Sequence, residues 1–80
     1  MDLKEAAAIA KREVGDLFGA HALQNLRLEE FLYDDLLGVW SLTIGFALSR
    51  DPQGAVNSAR SYKVVRVSQV DKTVLSVRDR

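Results

Sequence analysis

The apolar positions of this chain change their repeat once. Over residues 2–18, Leu3, Ala6, Ala7, Ala10, Val14, Leu17 and Phe18 fall on one side of a helical wheel, with Glu5, Arg12 and Asp16 opposite. That spacing predicts an amphipathic helix with a stripe wide enough to pack on a sheet. The stripe is rich in alanine, and small side chains let a helix backbone come close to its neighbour. Asp2 and Glu5 have the capping-box spacing, with Asp where Ser or Thr is usual. Gly19 is a suitable C-terminal stop. Gly15, inside the helix, costs about 1 kcal/mol relative to Ala, and a close contact is one reason to carry that cost.

From about residue 24 the repeat becomes that of strands. In 24–33, Leu26 and Leu28 alternate on one parity and Phe31 and Tyr33 on the other. The phase slips at Glu29–Glu30, which predicts a bulge there or a strand with apolar residues on both faces. Asp34–Asp35 supply a turn. Residues 37–48 carry the clearest pattern. Trp40, Leu42, Ile44, Phe46 and Leu48 alternate with Ser41, Thr43, Gly45 and Ala47. The first set is expected to face the core, with the inner row beginning at Trp40. Gly45 marks a possible bend. Residues 60–70, with Tyr62, Val64, Val65, Val67 and Val70, form a third strand, Asp71–Lys72 a tight turn, and residues 73–78 a short fourth strand. The sum is a single α+β domain over 1–80: one N-terminal helix packed on a four-stranded antiparallel meander sheet.

Residues 50–59 interrupt this order with a long breaker-rich segment holding the sole proline. Hairpin loops are usually about two to five residues, so this one is long. Long loops cost little in closure entropy and are also frequent carriers of binding residues. Arg50, Asp51, Gln53, Asn57 and Arg60 are its candidate partner-binding side chains.

Charge adds one contrast. The 80 residues carry 11 basic and 11 acidic side chains, so the formal net charge is zero, which disfavours a general nucleic-acid or membrane binder. Residues 1–49 nevertheless hold an excess of acid and residues 50–80 an equal excess of base. Mutual neutralisation within one fold is the plain reading; a polarised surface that steers a partner is the sharper one. Lys63, Arg66 and Arg78 fall on strands, but Tyr62 is the only aromatic in the basic half, too few for a base-stacking platform.

Chemistry finds little support. There is no cysteine, and the one histidine, His21, has no ligand partners at metal spacing. Glu29–Glu30 and Asp34–Asp35 are neighbours along the chain, and strand neighbours point to opposite faces unless a bulge intervenes. No phosphate loop, dinucleotide fingerprint or nucleophile elbow occurs. The residues imply neither an enzyme nor a cofactor. No apolar run reaches membrane-spanning length and no signal peptide is legible at the N-terminus, so the expectation is a cytoplasmic protein, with an export signal removed earlier left open.

The segments Tyr62-Lys63-Val64-Val65-Arg66-Val67 and Val74-Leu75-Ser76-Val77-Arg78-Asp79 resemble the closing hairpin of PepSY domains. The alanine-rich Leu3–Ala10 segment resembles their first helix, and Val39–Ile44 their central strand. Ser68 stands where the family's turn usually has Asp, and Asp71-Lys72 stands near its Thr-Gly. The resemblance implies a module associated with peptidase propeptides that inhibits or regulates a protein partner. A helix gripped by an antiparallel sheet is also similar to cystatin-like folds, without their inhibitor-loop motif. The expected function is therefore a non-catalytic protein-binding or inhibitory module. It would act through the 50–59 loop or an exposed sheet edge, with a homodimer through an edge as one form. The alternatives are an immunity or antitoxin-like protein and a small-ligand or enzymatic domain with a pocket between helix and sheet.

Overall fold

The computed structural model describes residues 1–19, 23–48 and 60–80. Helix α1 spans Leu3–Phe18 and is followed by strands β1 (Leu23–Asp34), β2 (Val39–Leu48), β3 (Arg60–Ser68) and β4 (Val74–Asp79). The strands lie in the order β1-β2-β3-β4, every neighbouring pair antiparallel. This is the expected α+β meander under one helix. His21 and four of the loop candidates, Arg50, Asp51, Gln53 and Asn57, lie outside the described residues.

Both helix ends are closed by groups the chain supplies locally. The Asp2 carboxylate accepts the Glu5 backbone N–H at 2.9 Å, satisfying one orphan donor of the first turn. The reciprocal arm of a capping box is replaced by a longer reach: the Glu5 carboxylate meets Lys72 Nζ at 3.4 Å. At the other end Gly19 takes φ +82° and donates its N–H to the Gly15 carbonyl at 2.9 Å. The positive φ explains why glycine stands there. Gly15 has no such reason, since a Cβ at that position would meet nothing within 4 Å. The expected close contact is absent among the described residues.

Ala6, Ala10 and Val14 form the buried face of α1, one helical turn apart. They pack on Leu42, Ile44 and Phe46 of β2 and Val65 and Val67 of β3, all essentially inaccessible. The burial of these five side chains is the main apolar contribution to stability, at about 1.5–3 kcal/mol each. Leu17 and Phe18, expected on the buried stripe, are exposed instead. They sit in the last turn of α1, where the Phe18 ring still reaches Phe46, with centroids 5.5 Å apart. Trp40 is half-buried rather than fully enclosed. Its indole N–H donates to Gln69 Oε1 at 2.6 Å, and its ring lies 4.8 Å from that of Tyr33. A buried indole needs a hydrogen-bond acceptor, and Trp40 finds it at the margin of the core.

β1 carries two register shifts against β2. One falls between Leu28 and Glu30, so Glu29 is the extra residue and the expected slip lies where the phase of the sequence breaks. The other falls between Gln24 and Arg27, where Asn25 takes φ +54°, a conformation that asparagine tolerates better than most residues. The sequence pattern does not announce this second bulge.

The helix does not cover the sheet evenly. Its first turn lies by the β3–β4 turn, where Glu5 meets Lys72 and the Met1 carbonyl accepts Gln69 Nε2 at 3.1 Å. Its last turns flank β1 near that strand's start, where Gly15 and Asp16 face Leu23 and Leu26 across a groove of about 380 Å³. The later half of β1, from Phe31 onward, is off this path.

Candidate functional site

Arg60 is the one described member of the loop candidates, and its role is visible. Its Nη2 donates to the Asn25 carbonyl at 2.8 Å and to Glu29 Oε1 at 3.3 Å. One guanidinium thus ties β3 to both bulges of β1. The absence of a side chain at Gly45 makes room for this arrangement: a Cβ there would lie 2.8 Å from Glu29 Oε1 and 3.0 Å from Arg60 Nη2. Gly45 is paired directly with Arg27 and Tyr62 in the sheet, and its missing side chain gives the clearance that Glu29 and Arg60 occupy.

The Glu29 bulge also settles where the acidic pair points. Glu29 lies over Gly45, and Glu30 approaches Thr43 Oγ1 at 3.4 Å. Gly45 and Thr43 share the sheet face opposite the helix, because alternate strand residues share a face. The extra residue therefore turns two neighbouring carboxylates to one side. Each is engaged there. Glu29 pairs with Arg27 at 3.4 Å and Arg60 at 3.3 Å, while Glu30 pairs with Arg80 at 3.1 Å. Arg60–Glu29, Arg80–Glu30 and Lys72–Glu5 each join the acidic half of the chain to its basic half. Mutual neutralisation accounts for these three pairs.

Two further contacts of basic side chains lie within the C-terminal half. Lys63 pairs with Asp79 and sits 5.3 Å from the Phe18 ring centroid, on the helix side of the sheet. Tyr62 carries the Arg80 guanidinium 5.4 Å from its ring centroid. Among the described residues no group of three or more His, Cys, Asp or Glu is placed to hold a metal ion.

A different feature was not singled out by the residue types. β1 is an edge of the sheet, and its second half is apolar on both faces and open to solvent. Phe31 is 54% exposed and Leu32 67%, and Tyr33 is also exposed. The strip continues into the β1–β2 turn, where Leu36 is 94% and Leu37 65% exposed. The turn is held from within. The Asp34 carboxylate accepts the backbone N–H groups of Leu36 and Leu37 at 3.0 and 3.1 Å, and Gly38 closes it at φ +64° with its N–H on the Asp34 carbonyl. The neighbouring β3–β4 turn is docked by the Gln69 N–H on the Gly38 carbonyl at 2.9 Å and adds exposed Val70.

Phe31 and Tyr33 are exposed on the helix face of the sheet and Leu32 on the other, with Leu36 and Leu37 at the turn beyond. Edge strands are usually blunted by charge, proline or bulges. In β1 the Glu29 bulge and Glu30 precede Phe31, Leu32 and Tyr33, and Asp34 and Asp35 follow them, so the three apolar residues are exposed between two acidic pairs.

No protein-family model, curated protein or solved structure matches this chain. No helix among the described residues is long and apolar enough to cross a membrane.

Proposed function

We propose that this chain is a non-catalytic protein-binding module that takes up a strand of its partner along the second half of β1. The observation that carries the reading is the solvent-exposed run of Phe31, Leu32 and Tyr33 on an edge strand, followed by exposed Leu36 and Leu37 in the turn. Strand addition supplies affinity through main-chain hydrogen bonds and specificity through alternate side chains, and this edge offers both. Phe31 and Tyr33 lie on the parity paired with Leu42 and Trp40, while Leu32 pairs with Ser41 on the opposite face. An incoming strand would be read from both sides. The PepSY resemblance, with its implied inhibition or regulation of a protein partner, is compatible with such a mode and gives it a direction.

Leu32→Lys tests the reading. Wild-type chain, Leu32→Lys and Leu75→Lys, the last on the opposite edge, are immobilised and their bound proteins from cell extract compared by mass spectrometry. The expected result is a partner retained by wild type and Leu75→Lys and lost by Leu32→Lys. A partner that Leu32→Lys holds equally well, or the lack of any partner specific to wild type, would overturn it.

A further inference from the structure

The two ends of this edge differ in charge. Phe31, Leu32 and Tyr33 are exposed between Glu29–Glu30 and Asp34–Asp35. The first acidic pair is already matched within the molecule, since Glu29 meets Arg27 and Arg60, and Glu30 meets Arg80. Among the described residues no basic side chain pairs with Asp34 or Asp35. Asp34 spends one carboxylate oxygen on the N–H groups of Leu36 and Leu37, and Asp35 stands exposed beside it. The edge therefore runs from a neutralised end, through an apolar stretch, to an end of uncompensated negative charge.

Resting on the reading of β1 as the contact edge, we propose that the strand it takes up is basic at one end: an extended segment of a partner protein in which lysine or arginine residues immediately precede a short apolar run. Opposite charges set across a strand pair stabilise it, and like charges destabilise it. Antiparallel pairing is the more stable arrangement per residue. It brings the leading residues of the incoming strand beside Asp35 and Asp34, and the residues after them beside Tyr33, Leu32 and Phe31. Aromatic side chains pair well with β-branched ones across strands, so the apolar run is best filled by valine and isoleucine. The next position meets Glu30, where Arg80 at 3.1 Å already supplies the counter-charge, and a neutral polar residue suffices. The same charges disfavour a second copy of this chain. Paired antiparallel about Leu32, another β1 would set its Glu29 and Glu30 beside Asp35 and Asp34.

Labelled synthetic peptides and fluorescence anisotropy test the order of residues directly. The reference peptide carries Lys-Lys-Val-Ile-Val-Thr within neutral polar flanks. Its companions replace the two lysines by glutamine or by glutamate, or reverse the order to Thr-Val-Ile-Val-Lys-Lys. The lysine-first peptide should bind about fivefold tighter than the glutamine peptide, with the reversed peptide weaker than the lysine-first one and the glutamate peptide weakest. Asp35→Asn, which leaves Asp34 to hold the turn, should narrow the gap between lysine and glutamine, as should salt at ~1 M. Leu32→Lys should abolish binding of the glutamine peptide, and Leu75→Lys should keep it.

Equal affinity for the lysine and glutamine peptides, a preference for the glutamate or reversed peptide, or no binding up to ~1 mM overturns the proposal. If the lysine and glutamine peptides bind equally and Leu32→Lys abolishes binding of both, selection by charge falls while the contact edge stands. If Leu32→Lys and Leu75→Lys keep every peptide, the site is elsewhere and both readings fall. Sedimentation equilibrium of the chain alone should give a mass of 8.9 kDa. A larger mass that Leu32→Lys returns to this value would make a second copy the occupant of the edge and overturn the basic strand.

Discussion

β1 and β2 are adjacent strands, yet they differ sharply in burial. In β2 the row Leu42, Ile44 and Phe46 is enclosed, and even the other face is covered, with Val39, Thr43 and Ala47 buried. In β1 the row after the bulge stands in solvent. The difference is position. β2 has a paired strand on each side and α1 above it, and the Glu29, Glu30 and Arg60 side chains lie over its small residues on the far face. The start of β1 shares the helix; its end does not. Twelve residues of strand extend about 40 Å, while the 16-residue helix is about 24 Å long. One helix cannot cover such a strand as well as the rest of the sheet. Apolar alternation therefore assigns a residue to a face, and the neighbours of that face decide whether it is core or contact surface.

The contrast should be measurable as stability. Phe46→Ala removes a ring from the enclosed row and should cost about 3–5 kcal/mol in urea unfolding. Trp40→Phe keeps much of the ring but deletes the bond to Gln69, and should cost about 1 kcal/mol. Gln69→Ala gives a control of similar size, since it removes the acceptor and its tie to Met1 as well. Phe31→Ala should change monomer stability by less than about 0.5 kcal/mol, as for an ordinary surface position. If Phe31→Ala were as costly as Phe46→Ala, the end of β1 would belong to the core and the contrast would collapse.

Much of this architecture is legible in the residues. The shift from a helical to a strand repeat fixes the element order, and the parity break at Glu29–Glu30 locates a bulge. The second bulge shows only as the odd spacing of Leu23 and Leu26, both packed on the core, and Leu23 precedes the 24–33 segment that the alternation marks as strand. Leu17 and Phe18 satisfy the helical stripe but fall where the helix ends, a limit that periodicity cannot express. Trp40 belongs to the inner row by parity. Its partial exposure comes from an acceptor 29 residues away, which no local pattern contains. The proposed contact edge is the same kind of case. Phe31, Leu32 and Tyr33 look like core in one dimension, and only the lateral order of strands and the path of α1 leave them outside it. The 50–59 segment attracted attention through its composition, whereas Arg60 at its border is engaged in holding β1.

The carboxylate of Asp34 has a consequence beyond closing its turn. By accepting two consecutive amide protons it sets the backbone beneath Leu36 and Leu37 before any encounter, so these two exposed apolar side chains stand on a hydrogen-bonded knuckle. Ordering a loop at the moment of contact consumes part of the affinity gained there, and a tip fixed in advance avoids most of that loss. Loosening the knuckle should therefore weaken capture mainly through entropy, with the same atoms still touching.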